Sequence, residues 1–271
     1  MSSGLHVIRA GVGPRALLIH GSAADHTTWT IQLASALREH LTLVAYDRRA
    51  AATTVEAHAD DAVDLLDTGS LPGADPAPAL VIGSSFGAVI ALDVLRRHGG
   101  RVAGAVLIEP PMAASDDVPA VPPAFLAAFD RTVAEQGGPA AGELFLRTVL
   151  GDAAFERMPR AYQVRSMAMW AAIRADSEAL LAYRPRYAEL VAVPHPVLLL
   201  GGERSAPYFR PTLEALAAVL PGACLEVVPA AGHMLHAEAH RTFAERVRAF
   251  ARGCGLLAPP GPPAPSGSVG G

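Results

Sequence analysis

The sequence predicts an α/β fold of three layers, in which helices cover both faces of a mostly parallel sheet. Short apolar runs alternate along its 271 residues with longer segments of helical periodicity. The runs are apolar at successive positions rather than at every second one, as expected for strands that are buried on both faces. Strands that alternate with helices in this way are joined by right-handed crossovers, which predicts their parallel direction.

Six apolar runs predict the parallel strands, at residues 16–20, 41–46, 79–82, 102–108, 197–200 and 225–228. Helical spacing of apolar residues predicts the core helices, at residues 29–39, 55–66, 86–97, 212–220 and 237–251. A weaker apolar run at residues 5–8 predicts an antiparallel strand at the edge of the sheet.

The segment from residue 110 to residue 194 interrupts this alternation. Its apolar spacing predicts helices at residues 125–136, 143–150 and 162–181, with breaks that contain Gly and Pro. We expect a helical cap inserted into an α/β core that comprises residues 1–109 and 195–254. The last segment, residues 255–271, contains five Pro and five Gly and is predicted to be disordered.

Composition and charge exclude several classes of protein. Hydrophobic residues make up 51% of the chain, which excludes an intrinsically disordered protein. The formal net charge is −4 and the basic residues form no cluster, so binding to nucleic acid is not expected. No apolar run reaches the length of about 20 residues that crosses a bilayer, so membrane insertion is not expected. Nothing in the pattern predicts an oligomeric state.

The cellular environment is predicted from the cysteines and the N-terminus. Cys224 and Cys254 are far apart and build no framework of disulfides. The first ten residues have neither the basic nor the apolar region of a secretory signal. We therefore expect two free thiols and a cytoplasmic location.

The segment Gly83-Ser84-Ser85-Phe86-Gly87 fits the pattern G-x-S-x-G between a predicted strand and a predicted helix. A sharp turn from strand to helix strains the backbone at the central serine, and the flanking glycines allow its close approach to neighbouring backbone. Helix N-termini favour developing negative charge. The pattern predicts Ser85 as a nucleophile and the Phe86 N–H as a donor to an oxyanion. A plain glycine-rich turn is the alternative, and the motifs below argue against it.

Two further loops lie at the ends of predicted strands. His20-Gly21-Ser22 ends the first parallel strand, where glycine lets the loop bend so that a backbone N–H faces the substrate. We expect the Ser22 N–H to be the second oxyanion donor. His233 follows the last strand on a loop, and a neutral imidazole there can take the proton from Ser85 and return it to the leaving group.

Between residues 5 and 251 the order of these parts resembles that of the α/β-hydrolase fold superfamily. A His20-Gly21 loop comes first, followed by the Ser85 turn, a helical insertion and His233. The resemblance implies a three-layer α/β-hydrolase fold with a helical cap. It also implies a serine hydrolase that cleaves an ester, thioester or related acyl bond of a small molecule, without a cofactor. The substrate is expected to carry an apolar or acyl part.

Residues Tyr46-Asp47-Arg48-Arg49 resemble the Y-D-x-R-G loop of the same family. Three alanines, at residues 50–52, stand in place of the usual glycines. The loop is therefore expected to have a different shape.

The acid of the implied Ser-His-acid triad is missing from its usual position. In the family it follows the next-to-last strand in a G-x-x-D pattern, but residues 202–205 read G-E-R-S and Ser205 occupies the acid position. A hydroxyl does not stabilise an imidazolium as a carboxylate does. Glu109, directly after the apolar run that ends at residue 108, and Glu203 are the two alternatives. Glu109 is preferred because some members of the fold place the acid at that strand end; a third reading, an incomplete triad, stays open.

No metal site and no cofactor site are predicted. His233, His236 and His240 are spaced to share one helical face, but no carboxylate or cysteine completes a known zinc arrangement with them. The G-V-G of residues 11–13 lacks the remaining glycine and the helix of a dinucleotide-binding loop.

Two other classes of function remain open. Because Ser205 occupies the usual acid position, one of them is an enzyme of the same fold with different chemistry, such as a lyase, a C–C bond hydrolase or a cyclase of specialised metabolism. A ligand receptor that keeps the fold and its pocket is the other class. A dehalogenase or epoxide hydrolase is disfavoured, because these enzymes use an Asp nucleophile where this chain has Ser85.

Overall fold

The computed structural model describes residues 5–50, 52–67, 77–183 and 187–259 of the chain. In these ranges one sheet contains the strands β1 (Val7–Ala10), β2 (Arg15–Ile19), β3 (Thr42–Tyr46), β4 (Ala79–Ser84), β5 (Val102–Ile108), β6 (Val197–Gly202) and β7 (Ala223–Val228). The strands lie in the order β1-β3-β2-β4-β5-β6-β7. Strand β1 pairs antiparallel with β3 and the other neighbouring pairs are parallel, which confirms the predicted sheet and its antiparallel edge.

The helices fall into three groups along the described chain. Before the insertion lie α1 (Thr30–Ala34), α2 (Val55–Asp67) and α3 (Phe86–His98). The insertion contains α4 (Pro123–Gln136), α5 (Gly138–Leu150), α6 (Asp152–Arg157), α7 (Arg160–Ala168), α8 (Trp170–Ala182) and α9 (Tyr187–Leu190). After it come α10 (Phe209–Val219), α11 (Leu235–Glu238) and α12 (His240–Gly253).

The helix predicted at residues 29–39 is divided in the structure. Helix α1 lies between two short 3₁₀ helices, His26–Trp29 and Ala36–Glu39. Ser35 ends α1 with extended backbone, and its hydroxyl accepts a hydrogen bond from the Leu37 N–H at 3.2 Å. Serine competes with the helix for backbone hydrogen bonds in this way, which explains the interruption.

Two other predicted helices are also interrupted. The helix predicted at residues 162–181 is divided into α7 and α8 at Met169, whose backbone is not helical. The helix predicted from residue 237 begins only at His240, because Ala239 has non-helical backbone after the short α11. The sequence did not predict α6 and α9, since elements of six and four residues are too short to show a helical period.

Neighbouring residues of one strand pack on opposite faces of the sheet. Leu17 belongs to a buried cluster with residues of α2, α3 and α10, whereas Leu18 belongs to a second cluster with residues of α11 and α12. Helices therefore cover both faces, which confirms the three layers. A third, smaller cluster joins the insertion to Ala23 from a loop of the sheet core.

Leu256 and Leu257 belong to the segment that was predicted to be disordered, yet they pack against the second cluster. Two adjacent apolar residues next to α12 cover part of that cluster, which the Pro and Gly content of the segment did not indicate. The remainder of the predicted tail, from residue 260 onwards, lies outside the described residues.

Two observations bear on the predicted environment. Cys224 and Cys254 are free thiols, as the sequence predicts. No helix within the described ranges is both long enough and apolar enough to cross a bilayer. The cytoplasmic location stays a prediction.

Three buried histidines are neutral. Burial lowers the pKa of His20 and of His236 to about 3, from 6.5. Burial also lowers the pKa of His58 to about 4, and the nearby positive charge of Arg48 lowers it further. Protonating any of them in the folded chain would place a charge in a buried position that water solvates poorly.

We expect the free energy of unfolding to decrease as the pH falls from about 6.5 to about 4. In this range the histidines of the unfolded chain bind protons, whereas the buried histidines of the native chain do not. Above pH 6.5 the histidines are neutral in both states, so their full contribution to the free energy of unfolding is present. His236→Gln removes one such proton and should reduce the slope by about 1.4 kcal/mol per pH unit. Urea denaturation across this range measures the slope. Val247→Ala, a buried control, should lower stability equally at every pH, and an unchanged slope in His236→Gln would contradict the prediction.

Candidate active site

The backbone is strained where β4 turns into α3. Ser85 has φ 55° and ψ −124°, an unfavourable region for a residue with a side chain and one that is typical of functional turns. A Cβ on Gly83 would lie 2.1 Å from the Gly87 carbonyl oxygen, and a Cβ on Gly87 would lie 2.2 Å from the Ile19 carbonyl oxygen. Both positions therefore require glycine. The Ser85 N–H donates to the Ile108 carbonyl at 2.8 Å, which ties the turn to the end of β5.

A buried carboxylate contacts the imidazole of His233. Glu109 follows β5 directly, is 1% exposed and has φ 44°. Its Oε2 lies 2.5 Å from His233 Nδ1, and its Oε1 accepts a hydrogen bond from the Gly202 N–H at 2.7 Å. The ring of Phe209 stacks on the imidazole with centroids 4.4 Å apart. These contacts fix the orientation of the ring and leave Nε2 for a serine hydroxyl.

Glu203, the other candidate acid, lies elsewhere. It is exposed, and its Oε2 accepts a hydrogen bond from the Ala230 N–H at 2.7 Å. Ser205, at the usual acid position, has a buried hydroxyl without a hydrogen-bond partner among the described residues. The structure therefore brings Glu109 and His233 together and does not bring Glu203 to the imidazole.

The predicted oxyanion donors lie on the two loops that meet at Ser85. A Cβ on Gly21 would lie 2.9 Å from the Ser85 Cβ, so the loop of β2 passes directly beside the serine. Ser22 follows on that loop and lines the same cavity as Ser85. Phe86 is the first residue of α3, where a backbone N–H has no acceptor within the helix.

A cavity of about 830 Å³ opens onto Ser85 and His233. This volume is within the range of pockets that hold small molecules. Apolar residues of the insertion line part of it: Phe145, Leu146, Val149, Leu150 and Met158. Its lining also includes polar and charged residues: Asp25, Thr27, Thr28, Arg165 and Glu238. Arg165 donates to the Thr27 hydroxyl at 2.6 Å, so the insertion also contacts the sheet core beside the cavity.

The histidines of the sequence pattern make different contacts in the structure. His233 contacts Glu109, whereas His236 Nε2 lies 3.3 Å from the Thr28 hydroxyl and its ring contacts Trp29. Among the described residues, the one group of three side chains close enough to share a metal ion is His6, His26 and Asp47. It does not line the cavity.

The chain belongs to the alpha/beta hydrolase family, whose model matches residues 16–246. This confirms the family that the sequence resembles and the predicted fold class. The chain is also 37% identical over 108 residues to an uncharacterized hydrolase, YraK, of Bacillus subtilis (strain 168). That match covers 36% of this chain and 38% of the other protein.

Solved structures show the same fold over nearly the whole chain. A thermophilic esterase from Thermogutta terrifontis is 24% identical with a TM-score of 0.74, and the match covers 94% of this chain and 96% of the esterase. The enol-lactonase from Burkholderia xenovorans LB400 is 22% identical with a TM-score of 0.73, over 92% of this chain and 96% of the lactonase.

Proposed function

We propose that the protein is a serine hydrolase that cleaves an ester, thioester or related acyl bond of a small molecule. The observation that carries this proposal is the buried contact of 2.5 Å between Glu109 and His233, whose imidazole lines the same cavity as Ser85. A carboxylate, an imidazole and a strained serine with nearby backbone donors form the constellation that acyl transfer requires.

The first half of the reaction forms an acyl-enzyme. Ser85 Oγ attacks the carbonyl carbon while His233 Nε2 takes the hydroxyl proton, and the imidazolium is stabilised by the Glu109 carboxylate. The negative charge on the carbonyl oxygen is bound by the N–H groups of Phe86 and Ser22. His233 then donates its proton to the leaving alcohol or thiol as the bond to the acyl carbon breaks.

The second half returns the free enzyme. A water molecule attacks the acyl carbon while His233 takes one of its protons. The tetrahedral intermediate collapses, the proton moves to Ser85 Oγ, and the carboxylic acid leaves. The same two backbone donors stabilise both intermediates, so no cofactor is needed.

We further propose that residues 110–194 form a cap that selects the substrate. Helix α5 supplies Phe145, Leu146, Val149 and Leu150 to the cavity, which suits an apolar acyl group. The polar residues of the lining, the threonines and Asp25, suit an alcohol or lactone oxygen. The similarity to an esterase and an enol-lactonase supports an ester or lactone as the first compounds to test.

Covalent labelling tests the proposal. Ser85 should attack the phosphorus of a fluorophosphonate with loss of fluoride, and peptide mass spectrometry should locate the adduct on that residue. A panel of esters, thioesters and lactones of increasing acyl length should then show turnover. Labelling without turnover on the panel would favour a lyase, a C–C bond hydrolase or a cyclase, and no labelling would favour a receptor.

We expect Val149→Trp to shorten the acyl chain that the enzyme accepts. The indole ring of the new tryptophan occupies space next to the apolar residues that line the cavity. Each methylene of the substrate that is excluded from such a pocket changes kcat/KM by about 10-fold or more. The ratio of kcat/KM for an octanoyl ester to that for an acetyl ester measures the effect. Val164→Trp is the control, because Val164 is exposed on α7 and does not line the cavity. Equal ratios in the two variants would contradict the acyl-pocket assignment.

A further inference from the structure

A buried ion pair joins the loop after β3 to the insertion. Arg48 and Asp176 make two parallel hydrogen bonds, from Nη2 to Oδ2 at 2.7 Å and from Nη1 to Oδ1 at 3.0 Å. Each side chain is 7% exposed. Removing two charges from water costs about as much as their attraction returns, so stability alone does not explain the pair.

The pair contacts both residues that are proposed to bind the oxyanion. The Ser22 hydroxyl donates to Asp176 Oδ2 at 2.7 Å. The Arg48 guanidinium lies 4.7 Å from the centre of the Phe86 ring. Arg48 and Asp176 do not line the cavity, so they act on the reaction only through these neighbours.

Two donors hold the Gly21 carbonyl oxygen. Arg48 Nη2 donates to it at 3.3 Å, and His20 Nδ1 lies 2.9 Å from it. His20 is neutral, since burial lowers its pKa to about 3. Its Nε2 accepts a hydrogen bond from the Arg48 N–H at 3.1 Å. The single ring proton is therefore on Nδ1, which makes His20 the second donor to the Gly21 carbonyl.

The Gly21 carbonyl and the Ser22 N–H belong to the same peptide group. That group is planar and trans, so the two bonds point in opposite directions. Donors that fix the carbonyl on the buried side therefore also fix the direction of the N–H on the other side. The oxyanion donor is thus oriented by groups that never touch the substrate.

We propose that the Arg48–Asp176 pair is a positioning device for the Ser22 N–H and makes the oxyanion hole depend on the insertion. The inference rests on the proposed function. Asp176 belongs to α8, so displacement of this helix would leave Arg48 without its carboxylate and Ser22 without its acceptor. Helix α8 thereby contributes to catalysis, besides the cavity walls that α5 and α7 provide.

The test measures kcat and KM of Asp176→Asn on an ester that the wild-type chain hydrolyses. Losing one oxyanion donor typically lowers kcat about 10²- to 10³-fold, and a misdirected donor should lower it by about 10- to 100-fold with little change in KM. Asp130→Asn is the matched control, because it breaks an exposed pair with Arg174 on the same helix α8. This control should keep kcat within about twofold.

A boronic acid inhibitor separates positioning from a general loss of structure. The Ser85 oxygen adds to boron, its proton passes to His233, and the tetrahedral adduct places an oxygen in the oxyanion hole. Its affinity should fall in Asp176→Asn by the same factor as kcat/KM, because both report binding of the tetrahedral state. A loss of active protein would lower the number of binding sites instead of the affinity.

Asp176→Asn leaves a buried guanidinium unpaired, so two other variants complete the test. Arg48→Met with Asp176→Leu removes both charges and should stay folded, with the same loss of kcat. Ser22→Ala removes only the hydroxyl and should lower kcat by about threefold. If the double variant folds and keeps the wild-type kcat, the positioning role is overturned. If the double variant does not fold, a wild-type kcat in Ser22→Ala overturns it instead. A wild-type chain that neither turns over esters nor binds the boronic acid would overturn the proposed function instead.

Discussion

Ser85→Ala is expected to lower kcat by about 10⁴- to 10⁶-fold while the chain stays folded. Without the hydroxyl no acyl-enzyme forms, and the remaining rate comes from attack of water on a carbonyl that the backbone donors still bind. KM should change little, since the cavity walls and the oxyanion donors are retained. Initial rates on an ester from the panel, measured at high enzyme concentration, give the residual kcat.

Ser115→Ala is the control for this substitution. Ser115 is exposed and does not line the cavity, so the same loss of a hydroxyl should leave kcat unchanged. Circular dichroism and thermal unfolding of both variants should match the wild-type chain. A Ser85→Ala variant that keeps more than about a tenth of the wild-type rate would show that another group is the nucleophile.

The sheet could be predicted because strands buried on both faces leave continuous apolar runs. Strand β5, at Val102–Ile108, has the predicted bounds. Strand β7 is partly exposed and begins at Ala223, two residues before its predicted start, because alanine, which is depleted in strands, gives no signal for a strand start there. Breaks within helices were missed where one residue decides them, as Ser35 does after α1, since local hydrogen bonding leaves the apolar spacing unchanged.

The residues of the candidate site were predictable where the local sequence around them marks a sharp turn or the end of a strand. Ser85 stands in a short pattern whose glycine neighbours are required by close backbone contacts, and His233 follows a glycine on the loop after the last strand. Glu109 could be singled out because a charge directly after a buried strand needs a partner. Its choice over Glu203 remained open in the sequence, since nothing local shows which carboxylate faces the imidazole.

Contacts between distant parts of the chain could not be predicted, because no local sequence pattern indicates them. Arg48 and Asp176 are 128 residues apart, and each lies in a segment where a charge is equally compatible with exposure to solvent. Phe209, which stacks on His233, opens a helix of ordinary apolar spacing. Such residues acquire their roles only when the insertion and the loops pack together.

Glu109→Gln is expected to lower kcat by about 10²- to 10⁴-fold with KM little changed. The amide has nearly the same shape, so its carbonyl oxygen can keep the hydrogen bond from the Gly202 N–H. Its NH₂ group then faces His233 Nδ1 and favours the tautomer with the proton on Nε2, which cannot accept the Ser85 proton. The imidazolium that forms during attack also loses its counter-ion.

Glu203→Gln is the matched control, because it makes the same chemical change on the neighbouring loop. Its amide oxygen can still accept the Ala230 N–H, and the side chain is exposed, so kcat should stay within about twofold. The opposite ranking would transfer the acid role to Glu203, and two silent variants would mean that no carboxylate completes the triad. Since both substitutions can retain their backbone hydrogen bonds, a difference in kcat between them reports the charge and the tautomer at His233 rather than the loss of a loop contact.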